Sequence, residues 1–185
     1  MKPYIKEFIN EIFLKNGISV MIENDTNTGN YSNYGFFFIG LQMFYFQEDI
    51  FSGQIRFSTN HKPCRKYGTG FALHNPYEGP AIETIDINYL NNLPKLYSQI
   101  WKNKKVEKYT NFDEYQSYPT NQILKYKILE GNNNFLINFE GRSNKAIGIT
   151  KNYLRTVNAQ DANKAILKLY NNFEHIRVNS ISQLT

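Results

Sequence analysis

"YLRTVNAQDANKAILKLYNNFEHIRVNSI", residues 153–181, carries the pattern on which the fold class turns. Its first seven residues are short, partly β-branched and bounded by polar residues, as expected of a strand. Asp161 then stands where a helix N-cap belongs, and Ala162, Ala165, Ile166, Leu169, Tyr170 and Phe173 recur at helical spacing to define one apolar face. "HIRVNSI" closes as a second strand. Strand, helix and strand in succession on a small sheet make an α+β unit.

Working back from there, "ILKYKIL", the turn "EGNNN" and "FLINFEG" form a hairpin in front of that unit, and "AIGIT" offers a further strand. The segment "KNKKVEKYTNFDEYQSYPTNQ" is polar and without period, which suits a connector. The expected organisation is an N-terminal α+β part over 1–110, a connector over 111–122 and a small C-terminal α+β unit over 123–185, or one continuous domain. The fold class is α+β, with antiparallel sheets, packed helices and a C-terminal hairpin followed by strand-helix-strand.

The N-terminal part opens on an amphipathic helix over 3–16. Pro3 suits its first turn, Ile5, Phe8, Ile9, Ile12 and Phe13 share a face, and Gly17 ends it. A strand over Ile18–Ile22 leads to "ENDTNTGNYSNYG", too polar for a core and rich in turn formers, hence a loop or hairpin tip. Phe36–Phe46 reads as one long central strand, apolar on both faces. "GQIRFST" and "GTGFALH" follow as strands, and Asp86–Lys102 as a helix that Pro94 should kink or split.

Composition bounds the function. A chain of 185 residues can bury roughly 70% of its unfolded surface and needs no metal or crosslink to fold. The single cysteine, Cys64, excludes an internal disulfide and suits a reducing cytoplasm. The opening residues carry Lys2, Lys6, Glu7, Glu11 and Lys15, unlike a signal peptide. The most apolar run, "GFFFIGLQMFYF", has twelve residues against the ~20 of a membrane span, so no membrane is expected as a partner. The net charge of +5 is uneven, since residues 1–60 carry four cations against six anions and the excess begins at residue 61.

That excess begins in "HKPCRKYGTGFALHN", residues 61–75. His61, Cys64 and His74 carry ligand and nucleophile chemistry, so a Cys- or metal-dependent enzyme is one reading. A structural zinc site wants a fourth ligand that the segment lacks, and no third residue marks a nucleophile's base. "RKYGTGF" does not follow the phosphate-loop order, which places Lys after the glycines. No paired-acid motif appears. The expectation is therefore a non-enzymatic protein without catalytic residues, metal or cofactor.

Binding has more material. Cations alternate with rings and glycines in "HKPCRKYGTGF", "WKNKKVEKY" and "EGRSNKAIG". The candidate contacts are Lys62, Arg65, Lys66 and Tyr67, then Lys102, Lys104 and Lys105, then Arg142 and Lys145. Such surfaces hold single-stranded nucleic acid or an acidic partner. The direct alternative is a nucleic-acid-binding accessory protein that uses these loops.

"GRSNKAIGITKNYLRTVNAQDANKAILKLYNNFEHIRVNSI", residues 141–181, resembles the tail of small accessory proteins carried by phages and plasmids of low-GC bacteria, with a basic hairpin, a strand, an Ala-rich helix and a strand. "NHKPCRKYGTGFALH", residues 60–74, is similar to segments of such proteins. The resemblance implies a mobile-element product acting in the host cytoplasm. It further implies an inhibitor of a bacterial defence complex, anti-CRISPR proteins being one kind, whose partner is a host protein or protein–nucleic-acid complex.

Overall fold

The computed structural model describes residues 1–28, 31–49, 51–58, 80–104, 131–143 and 150–185. The chain is an α+β protein that divides into two compact units, Met1–Lys102 and Asn103–Thr185.

The first unit begins with α1, Pro3–Phe8, continued by a π-helical turn over Ile9–Phe13 and a tight 3₁₀ turn over Leu14–Asn16. Gly17 ends it at φ 71°, a left-handed conformation that glycine adopts without the Cβ penalty. Its apolar face, Ile5, Phe8, Ile9 and Phe13, is buried as the sequence spacing predicts. That face packs on a four-stranded antiparallel sheet of order β1-β2-β3-β4: Val20–Thr28, Tyr31–Ile39, Gln42–Asp49 and Ile55–Ser58. Phe13 is the hub, with its ring 4.7 Å from that of Phe37 and 5.5 Å from that of Phe46. The helix α2, Ile87–Lys104, adds Leu90, Leu93 and Tyr97 to the same core. Asp86 caps it, accepting a hydrogen bond from the Tyr89 amide at 2.7 Å.

One expectation is corrected here and two are corrected in part. Phe36–Phe46 is two strands, since a tight turn at Gly40–Leu41 pairs Ile39 with Gln42, and Gly40 sits at φ 57°. The polar "ENDTNTGNYSNYG", expected as a loop or hairpin tip, is the outer part of a hairpin with more strand than expected: β1 runs on to Thr28, pairing Thr26, Asn27 and Thr28 with Asn33, Ser32 and Tyr31. Of the two outcomes expected at Pro94, the split does not occur: one helix runs from Ile87 to Lys104. The strands proposed for "GTGFALH" and "ILKYKIL", the connector over 111–122 and most of "AIGIT" lie outside the described residues.

One polar cluster ties α1 to the sheet. A bulge in β2 makes Tyr34 the extra residue between Asn33 and Gly35, and bulges re-aim side chains. The fully buried Tyr34 donates its hydroxyl to Glu48 Oε2 at 2.5 Å. The Tyr4 hydroxyl donates to Glu48 Oε1, and Lys2 Nζ lies 3.0 Å from Oε2. Beside the bulge, a Cβ on Gly35 would stand 2.2 Å from the Met21 carbonyl oxygen, so only glycine lets β1 and β2 approach there. Adjacent Asp49 points elsewhere: its Oδ1 accepts the amides of Phe51 and Ser52 and shapes the turn into β4.

The second unit is a three-stranded antiparallel sheet of order β6-β5-β7, with β5 at Asn133–Ser143, β6 at Lys151–Ala159 and β7 at Phe173–Leu184. Between β6 and β7 stands α3, Ala162–Leu169, capped by Asp161 Oδ1 on the Lys164 amide at 2.8 Å. Both outer strands run antiparallel to β5 and hence parallel to each other, so α3 is the crossover that parallel strands require. It covers the face carrying Phe135, Ile137 and Phe139. Phe173 belongs to β7, not to the helix.

The Glu48 cluster generates a stability prediction. Glu48→Ala leaves a buried phenol and an ammonium without their carboxylate, and should cost about 3 kcal/mol in urea unfolding followed by circular dichroism. A change below about 0.5 kcal/mol, the range of ordinary surface substitutions, would contradict this anchoring role.

Candidate anion-binding cleft

Between the outer edge of β6 and the C-terminal end of α3 lies a cleft of about 740 Å³. Two cations line it, Arg155 and Lys168, together with the amide side chains of Asn158, Asn171 and Asn172 and the edge of Phe173. Its described lining holds no carboxylate.

Alternation places Arg155. In the β5–β6 register it stands opposite Ile137, between Tyr153 opposite Phe139 and Val157 opposite Phe135, so it shares the helix-covered face with three core positions. β6 is the edge strand among the described residues, and an edge position lets a long side chain on the inner face reach outwards. The Arg155 guanidinium lies 5.4 Å from the Tyr153 ring centroid and 5.8 Å from that of Phe173. Those rings are themselves 4.7 Å apart with their planes tilted by 56°, which makes an angled aromatic platform beside the cation.

Both cations are bonded to neutral groups. Arg155 Nη1 donates to the Leu154 carbonyl at 2.9 Å, and Lys168 Nζ to the Asn158 carbonyl at 2.6 Å. Leu154 and Asn158 are four residues apart and thus of one parity, the set that an antiparallel strand turns away from its partner. The two cations therefore cap carbonyls on the open edge of the sheet. Among the described residues neither has a carboxylate partner, unlike Lys164, which pairs with Asp161 at 3.2 Å, or Lys15, which pairs with Glu11 at 2.5 Å.

The floor of the cleft is held by amides. Asn158 accepts the Gly131 amide at 2.9 Å and donates to the Asn133 carbonyl at 3.3 Å and to Asn134 Oδ1 at 3.2 Å. Gly131 lies so close that a Cβ would stand 1.9 Å from the Ala159 carbonyl carbon.

None of the candidate contacts read from the sequence is among the described lining residues. Lys62, Arg65, Lys66, Tyr67, Lys105 and Lys145 lie outside the described residues, as do His61, Cys64 and His74. Lys102 and Lys104 are in the last turn of α2, where only the backbone is described. Arg142 is 4% exposed, which removes its guanidinium from any open cationic surface. The reason is topological: β5 is the central strand, and Arg142 stands in register with Glu174 of β7. Arg155 and Lys168 were not among those candidates. A cation at the centre of Tyr153-x-Arg155-x-Val157, on the apolar parity of a strand, is the signal that marks the first of them.

Other chemistry is sparse among the described residues. No group of three or more His, Cys, Asp or Glu side chains there could hold a metal ion. Glu48 is engaged by two phenols and an ammonium. Burial pushes the Tyr89 hydroxyl up to about 12, far from the range useful for proton transfer near neutrality. No described helix is long and apolar enough to cross a membrane. No family model matches the chain, and no curated protein or solved structure gives a significant match.

The closeness of Gly131 to β6 is testable. Gly131→Ala forces backbone against backbone and should lower stability by about 1–3 kcal/mol in chemical denaturation. Wild-type stability in that variant would mean that the cleft floor is not built as described.

Proposed function

We propose that the protein is a non-enzymatic binding protein that grips an anionic macromolecule through its C-terminal unit. The observation that carries this reading is the distribution of charge between the units. Residues 1–102 hold nine cations and nine acids, whereas residues 103–185 hold twelve cations and seven acids, so the whole +5 falls on the second unit. Within that unit, two cations line a cleft without a neutralising carboxylate in its described lining. Concentrated charge of one sign at a concave surface raises the local concentration of an oppositely charged partner and speeds its capture.

The more specific role, an inhibitor borne by a phage or plasmid and acting by direct binding on a bacterial defence complex, rests on the resemblance of residues 141–181 and 60–74. Such complexes contain nucleic acid and nucleic-acid-binding surfaces, and a cationic binder can engage the former. Lys105 and Lys145, which fall within residues 103–185, belong to this proposal as further contacts.

Retention on immobilised heparin, a generic polyanion, tests the location of the binding surface. Lys151→Glu with Arg155→Glu and Lys6→Glu with Lys95→Glu change the net charge equally, at exposed positions of the second and first unit respectively. The first pair should elute at markedly lower salt than the second. Equal elution of the two double variants would show that only total charge matters and would contradict a dedicated surface on the C-terminal unit.

A further inference from the structure

The geometry points to single-stranded nucleic acid as the ligand of the β6–α3 cleft, a proposal that rests on the binding reading above and names its substrate class. Four observations converge on it. The first is shape: about 740 Å³ lies within the range of roughly 300–1,000 Å³ that takes a small ligand, so a nucleotide fits and a duplex does not.

The second is the platform. A guanidinium lying within 6 Å of two ring centroids, on an exposed side chain, can also meet whatever enters, and unstacked bases pack on arginine planes as they do on aromatic rings. The third is charge. Lys168 reaches the same cleft from α3, bonded to a main-chain carbonyl, and among the described residues it can take a phosphate without giving up a carboxylate partner. The fourth is the lining: the exposed Asn172 brings an amide that can both donate to and accept from base edges.

An acidic polypeptide would use the two cations equally well but would gain little from the ring-backed guanidinium. Double-stranded DNA would require an element that enters a groove. α3 is eight residues long and spends Ala165, Ile166, Leu167 and Leu169 on the core, which leaves no recognition face. A strand lying along β6 would set a base on Arg155 and the neighbouring phosphate at Lys168.

The test is fluorescence anisotropy of labelled single-stranded DNA and RNA of about 12 nucleotides, a length within the site sizes of known single-strand binders. The full-length protein is titrated, with unlabelled duplex and polyglutamate as competitors. Arg155→Ala should weaken binding about 10-fold or more. Arg155→Lys, which keeps the charge and loses the plane, should weaken it by a smaller but clear factor. Lys168→Gln should reduce the salt slope by about 0.7, the loss of one phosphate contact on a single strand. Lys164→Ala, whose partner is Asp161, should bind as the wild type does.

The proposal is overturned by absence of single-strand binding at about 10⁻⁴ M protein in low salt, the weak end of non-specific affinities. Equal competition by duplex or by polyglutamate, or full affinity in Arg155→Ala, overturns it as well. In those cases a heparin elution that still depends on Lys151 and Arg155 leaves the general binding reading standing, so the two failures are separable.

Discussion

β5 has a hydrogen-bonded neighbour on each side, and the architecture of the C-terminal unit follows from that arrangement. With β6 and β7 on opposite flanks of one strand, the chain must pass from one flank to the other across a sheet face. The thirteen residues between Ala159 and Phe173 do this with α3, close to the shortest crossover that parallel strands permit. The same connection brings Lys168 and the turn at Asn171–Asn172 beside the outer edge of β6. The cleft is thus a by-product of topology. Its charge is not, since any residue with a long polar side chain could have occupied Arg155 and Lys168.

An open strand edge is a hazard, because its free amides and carbonyls can recruit another strand. Here Arg155 and Lys168 occupy the carbonyls of Leu154 and Asn158. These residues discourage edge-to-edge pairing and hold charge at the cleft mouth at the same time. The first unit solves a different problem. Its core is rich in phenylalanine and tyrosine, with isoleucine and leucine filling between the rings, and the Glu48 cluster sets where α1 lies on that surface. A bulge at Tyr34 and a glycine at 35 exist to bring one phenol to one carboxylate.

Much of this was legible in the sequence where local chemistry and period agree. The helix over 3–16 with its glycine stop, the Asp161 cap and the strand-helix-strand ending all have short-range signals that tertiary packing does not override. The failures are equally physical. Gly40–Leu41 lacks the Asn-Gly or Asp-Gly signature of a two-residue hairpin turn, and the flanking strands are buried on both faces, so alternation cannot reveal where one ends. "ENDTNT" reads as loop by composition, yet a hairpin ladder continues beyond the core as long as its backbone partners remain in register. Arg142 looked like a surface cation because sequence does not say which strand is central. Arg155 was passed over for the mirror-image reason: its strand lies at the edge, where an inward cation can still reach solvent.

Chemical-shift mapping with ¹⁵N-labelled protein and an unlabelled single strand addresses the central claim most directly, because it locates the contact without disturbing any residue. Saturable shifts confined to Asn152–Asn158 and Lys168–Phe173 are expected. Shifts concentrated in Met1–Lys102, or none at saturating ligand, would place the binding surface elsewhere and contradict it.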